Sequence, residues 1–552
     1  MGNAPSSPAH ACLLSAVGND SSLLAFPSQP FYESTAANPY NLNWPIYPAV
    51  VATPKTTEQV AGIVKCAVEY DHKVQAKSGG RSYANFGLGG VNGEVAIDMK
   101  HFQQFSLDNS TYMATIGPGL QLSDVTRKLN DAGGRAMPYG AVPEIGVGGH
   151  FTIGGLGTYS RLWGSALDNI EEAEVVLANS SIVRTSKESY PDVFFAIRGA
   201  AASFGIVTEF KVRTYPSLSQ TVQYKYEFSI GSSTERANLY MAWQDLCSQK
   251  NLTRKFDTRM IVTEGTMIIL GQFHGSKEEY EQLGLEKRLP ASNAGNVIVL
   301  TDPLAMLGHD IEKLATGIVG GVPLNFYEKS LSFETDKLPP NSTVQELFHY
   351  LDTADKGTPT WFVVISIAGG ATNDVPVHAT AYAQRNVMFY VESFGVNLLG
   401  RVSETTVDFL DGINKLVTKT VPGADRNVYP GFVDPFLPNA QEAYWGRNLP
   451  KLQEIKAAID PNDVFHNPQS VRPAEVDRQL AWHSCHVLSE EEETCSRLIC
   501  LHGWSLAASA DLFADEGRML EERFAQIRGI MLLKRLKPLR RLPDDVENLE
   551  RT

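Results

Sequence analysis

Between residues 40 and 215, short runs of alternating or continuous apolar residues are separated by helix-length patterns, the texture of an α+β domain. Val74–Ala76, Val95–Met99, Thr115–Ile116, Ala173–Leu177 and Ile206–Val212 read as strands. Thr56 stands where an N-cap belongs, ahead of an apolar period that continues to Ala67, and Ser123–Ala132 reads as a helix stopped by Gly133-Gly134. From about 218 to 425 longer strand runs dominate: Val222–Phe228, Arg259–Thr263, Thr266–Phe273, Trp361–Ile367 and Asn386–Phe394. Helical stretches at Glu278–Leu283 and Ser403–Val417 lie between them. An antiparallel sheet backed by helices is expected there, forming one wall of a cavity. The predicted divisions are an N-terminal segment (1–39), a first domain (40–217), a sheet domain (218–425), a segment returning to the first domain (426–473) and a charged tail (474–552).

Glycine is concentrated where the first domain's strands end. Ser78-Gly79-Gly80-Arg81-Ser82 follows the first strand directly, Gly117-Pro118-Gly119 follows another, and residues 146–157 hold six glycines in twelve positions. Glycine in strands costs entropy and packing, so such density marks places where backbone approaches something closely. Successive N–H groups in a small-residue turn converge on anions such as a pyrophosphate. No Gly-Lys-Ser/Thr phosphate loop is present, and no glycine cluster opens a Rossmann unit.

These motifs occur in a specific order. Lys77-Ser78-Gly79-Gly80-x-Ser82-Tyr83 is followed by Gly146-Val147-Gly148-Gly149-His150-x-x-x-Gly154-Gly155-Leu156-Gly157. Phe195-Ala196-Ile197-Arg198-Gly199-Ala200 comes next, and Ala443-Tyr444-Trp445-Gly446 through Asn467-x-Gln469-Ser470 closes the series. Over residues 25–473 the chain resembles FAD-linked oxidases of the vanillyl-alcohol-oxidase, PCMH type, and within them the berberine-bridge-enzyme-like group with its fungal oligosaccharide and secondary-metabolite oxidases. The resemblance implies a two-part FAD-binding domain and a substrate domain. It implies FAD contacts at Ser78, Gly79, Gly80, Arg81, Ser82, Gly117, Gly140, Gly146, Gly148, Gly149, His150, Gly154, Gly155, Ile206 and Asn467.

The chain departs from that group at the positions that carry its chemistry. Relatives bond the flavin 8α-methyl through a histidine after Ser-Gly-Gly; here Arg81 stands there, a permanently protonated guanidinium that cannot form the bond. Where relatives carry a second tether in Gly-Thr-Cys-Pro, this chain has Gly140-Ala141-Val142-Pro143. Non-covalent FAD is therefore expected. The tyrosine base of the relatives' Tyr-x-x-Tyr pattern is replaced by Phe432, the last residue of Tyr429-Pro430-Gly431-Phe432. The remaining candidates for proton transfer are Glu392, on a predicted strand of unknown parity, Tyr429, and His150, which is equally a flavin hydrogen-bonding group. Tyr83, Trp361 and Phe432 are candidate substrate walls.

Composition narrows the partners. A formal net charge of -14 across 552 residues offers nucleic acid no basic stripe in the core, and no apolar run is long enough to span a bilayer. The six cysteines are irregularly spaced and predict neither a disulfide framework nor a standard zinc site. No basic region followed by an apolar core opens the chain, so a cytoplasmic location is expected, with only the permissive acylation pattern at Gly2. The expected function is hydride transfer from a small, apolar natural product to FAD with dioxygen as final acceptor. A redox-neutral isomerase or cyclase on the same scaffold, and a non-catalytic paralogue, are the alternatives.

Overall fold

A computed structural model describes residues 7–140, 142–302 and 322–474. The described residues up to Pro473 form one compact unit. The expectations for the tail, Gly2 and Ala141 fall outside the described residues.

The first four strands, β1 (Leu24–Ala25), β2 (Val50–Ala52), β3 (Val74–Lys77) and β4 (Val95–Asp98), form a sheet in the order β1-β2-β4-β3. Its three longer strands run parallel, which requires a crossover. Helix Thr57–Glu69 supplies it, capped by the Thr56 side chain accepting from the Gln59 N–H, with Val60, Ile63, Val64 and Ala67 buried on one face. The adjacent sheet contains β5 (Phe105–Leu107), β6 (Met113–Ile116), β8 (Ile170–Val176), β9 (Ile182–Thr185) and β10 (Ile206–Arg213), all antiparallel, in the order β5-β6-β10-β8-β9. Two short strands, β7 (Arg135–Ala136) and β11 (Tyr215–Pro216), pair alongside.

The third sheet has seven strands in the order β15-β12-β14-β13-β17-β18-β16, antiparallel throughout. They are β12 (Thr221–Ser229), β13 (Phe256–Thr263), β14 (Thr266–Phe273), β15 (Ala294–Leu300), β16 (Asn325–Glu334), β17 (Thr360–Ile367) and β18 (Val387–Asn397). Neither β15 nor β16 stands out in the hydrophobic pattern. In β16 the pair Glu328-Lys329 interrupts the apolar alternation, and only pairing with β18 buries both faces. Helices Ser233–Cys247, Asn341–Thr353 and Glu404–Thr418 cover one face of this sheet through a core that includes Trp243, Phe348 and Phe409. The other face turns toward the first two sheets.

The chain then returns to its first lobe. Lys456, on helix Leu449–Ile459, is fully buried and donates to Asp460 at 2.6 Å and to the carbonyls of Ser203 and Phe465 at 2.7 and 3.0 Å. A buried ammonium needs such complete pairing, so this lysine pins the final segment against the Gly199–Ser203 turn. Cys12 and Cys66 form a disulfide joining helices Pro8–Ala16 and Thr57–Glu69, contrary to the expectation drawn from the scattered cysteines.

Candidate active site

The Ser78–Ser82 turn leaves β3 at the end of the parallel sheet and is locked by a second glycine turn. A methyl group on Gly79 would lie 2.4 Å from the Gly146 nitrogen, and one on Gly146 would lie 2.0 Å from the Gly79 nitrogen. Only glycine at both positions permits this approach. The Ser78 hydroxyl ties the turn to a third loop by donating to the Pro118 carbonyl at 2.5 Å and accepting from the Gly148 N–H at 3.2 Å. Among the described residues, the N–H groups of Gly79, Gly80, Arg81 and Ser82 donate to no protein group. Four successive free donors at a cavity wall are a nest for an anionic group.

That wall belongs to a cavity of about 440 Å³ running from the turn to the seven-stranded sheet. Ser78, Gly79, Gly80, Arg81, Ser82, Gly140, Gly146, Gly149, His150 and Asn467 line it, as do Val142 and Gln469. Gly148 and Ile206 line a smaller cavity of about 80 Å³, which shares Ser78 and Gly149 with the first. An elongated, phosphate-bearing cofactor fits this pair of spaces and the donors between them. The remaining expected glycine contacts lie elsewhere. Gly117 packs on the Phe102 carbonyl, Gly155 on Ala166 and Gly154 on the Tyr429 ring; they shape the walls from behind.

Strand parity assigns the sheet residues. Glu392, Tyr390 and Phe394 of β18 face the cavity, as do Phe362, Val364 and Ser366 of β17. Trp361 is one position out of phase. It lies in the helix-side core against Phe409, its indole N–H donating to Glu264 at 3.2 Å, so it is no substrate wall. Tyr83 and Phe432 do line the cavity.

Glu392 is the carboxylate in this space with its chemistry set by burial. Desolvation raises its pKa to about 8, with the Arg259 charge and the Tyr83 hydroxyl, which donates at 3.4 Å, acting in the opposite direction. Arg259, from β13, lines the same cavity; nothing in its sequence surroundings distinguishes it from an ordinary strand cation. Tyr429 is buried, and its hydroxyl accepts from the Gly155 N–H at 3.1 Å. Burial pushes its pKa up to about 12, so the phenol stays protonated at neutral pH. His150 accepts from the Gly140 N–H at Nε2, 2.8 Å away, and burial lowers its pKa to about 4. It is a neutral imidazole whose lone pair holds the Gly140 turn, not a proton donor poised for neutral pH. Arg81 stacks its guanidinium 4.8 Å from the centre of the Tyr40 ring, within the cavity wall.

A turn built to receive an anion, a second lobe returning to complete it and a sheet wall carrying the buried Glu392 are the features of a flavoprotein of the PCMH fold. Comparison with known proteins assigns the family. Residues 48–186 match the FAD binding domain and residues 428–472 the berberine and berberine-like segment. The chain belongs to the berberine-bridge-enzyme-like FAD-linked oxidoreductases. It is 41% identical over 466 residues to the FAD-linked oxidoreductase sorD of Penicillium rubens, covering 84% of this chain and 98% of that protein. It is 32% identical over 469 residues to the xylooligosaccharide oxidase of Thermothelomyces thermophilus, covering 80% and 90%. The solved structure of the Acremonium strictum glucooligosaccharide oxidase, described with a 6-S-cysteinyl, 8α-N1-histidyl FAD, superposes with a TM-score of 0.76 at 27% identity, over 84% of this chain and 99% of that one.

Proposed function

We propose that this enzyme oxidises a small, apolar natural product of fungal secondary metabolism and holds its FAD without a covalent bond. The observation that carries the reading is Glu392 standing beside a cluster of apolar cavity side chains, Ile261, Leu270, Phe362, Val364 and Phe394. This apolar cluster replaces none of the water around a sugar's hydroxyls, so it favours an apolar substrate over a sugar. FAD, when bound, would supply the hydride acceptor, with dioxygen as the final electron acceptor. Glu392, ionised above about pH 8, takes the substrate's proton, while Tyr83 and Arg259 steady its charge. The free N–H groups of residues 79–82 and the Asn467 loop receive the cofactor's polar parts. Arg81 and Val142 offer no bond-forming atom where the relatives' tethers lie. Location is part of the proposal: the Cys12–Cys66 disulfide fits an oxidising compartment better than the cytosol expected from the sequence.

Acid precipitation of the purified protein tests the cofactor reading. All yellow colour is expected in the supernatant, and colour in the pellet overturns it. Anaerobic mixing tests the substrate reading. Flavin bleaching is expected with apolar hydroxylated compounds and not with xylobiose, and the reverse pattern overturns it.

A further inference from the structure

A second carboxyl lies on the cavity face of the sheet, with no hydrogen-bond partner among the described residues. Glu328 of β16 is 2% exposed, and neither of its side-chain oxygens has a hydrogen-bond partner among the described residues. The register of β16 on β18 sets Ser330 opposite Glu392 and Glu328 opposite Phe394. Glu328 is thus the diagonal neighbour of Glu392. Phe326, two residues before it and on the same face, packs edge-on to Tyr83 with ring centres 5.3 Å apart. Tyr83 spans this corner, its ring 6.0 Å from Phe394 and its hydroxyl on Glu392.

The charged and titratable groups around the pair are unevenly shared. Glu392 has the Tyr83 hydroxyl and, from β13, the Arg259 cation beside Asp257. Tyr40 and Tyr429 add phenols on its side. Glu328 has Asp434 and the Tyr444 phenol in its neighbourhood. The cation acting on it is Lys329, which already binds Asp411 at 2.8 Å and Asp434 at 3.1 Å. Two buried carboxyls on adjacent strands cannot both be ionised at small cost, and the one with a donor and a cation takes the charge.

We propose that Glu328 is a positioning residue for Glu392: it keeps the pair's last proton as a buried carboxylic acid, so that the pair's negative charge stands at Glu392, in the cavity. Burial first, then the charges of Glu392 and Asp434, act on Glu328 in the same direction. The inference rests on the reading of Glu392 as the cavity's base, and the test separates the two.

The test is a pH titration of the FAD-loaded protein by infrared spectroscopy with ¹³C-glutamate labelling, following the carboxylic-acid C=O stretch of buried groups; it needs no substrate. Wild type is expected to lose one buried-acid band near pH 8 and to retain another well above it. Glu328→Gln removes the retained band and leaves the first step in place. Glu392→Gln removes the first step and moves the loss of the second to lower pH. A like charge about 7 Å away at an effective dielectric constant of about 20 alters proton affinity more than about tenfold, so that shift exceeds about one pH unit. If the step near pH 8 is absent from wild type, the reading of Glu392 itself fails. If the step is present but no band outlasts it, or if Glu392→Gln leaves the second midpoint unmoved, the role of Glu328 is overturned and that of Glu392 stands.

Discussion

Replacing Gly79 with alanine isolates the contact on which the cofactor turn depends. The added methyl would sit 2.4 Å from the Gly146 nitrogen, 2.9 Å from its Cα and 3.1 Å from the Glu144 carbonyl oxygen. Ordinary contact begins near 3.4 Å, and all three obstacles are backbone, so the two turns must part by about 1 Å. Overpacking of this kind costs about 1–3 kcal/mol. The displaced backbone carries the four free N–H groups, so the cost is expected in cofactor affinity, as a rise in Kd of about 5- to 150-fold. Calorimetric titration of the apoprotein with FAD measures it. Gly231→Ala is the control, since no atom lies within 4 Å of the methyl it would add and the site is remote. Binding by Gly79→Ala within twofold of wild type, or an equal loss in Gly231→Ala, would refute the reasoning.

Other perturbations probe the frame around the site. The Cys12–Cys66 bridge closes a 54-residue separation, so Cys66→Ser is expected to lower stability by about 4 kcal/mol on loop-closure grounds. Urea denaturation with and without reductant checks it, and indifference of the wild type to reductant speaks against the bridge. His150 and His274 are buried with pKa values lowered by desolvation to about 4. Below the unfolded value near 6.5 the unfolded chain binds more protons, so stability falls as pH drops toward 4, by about 3 kcal/mol for each histidine at pH 4. Denaturant midpoints measured between pH 7 and 4 test the slope, and His150→Gln, which keeps an acceptor for the Gly140 N–H, is expected to remove about half of it.

The cofactor side of this protein was legible in its sequence because its signals are local. Glycine is required wherever backbone meets backbone, so the Ser78–Ser82 and Gly146–Gly149 turns announce themselves by composition, and their order along the chain identifies the family. That Arg81 and Val142 stand where a histidine and a cysteine are expected is likewise a matter of residue identity. The substrate side depended on pairings between distant strands. One residue of register separates Glu392, which faces the cavity, from its neighbour Val391 in the helix-side core, and the same parity turns Trp361 away. Residues of the sequence alone do not fix that phase, because β18 is apolar on both faces. Arg259 and Glu328 came to the site only through the seven-stranded order, and Cys12 met Cys66 only because two helices pack. His150 shows both halves: its place beside the glycines was readable, but its protonation was decided by the burial and the Gly140 hydrogen bond that the folded chain imposes.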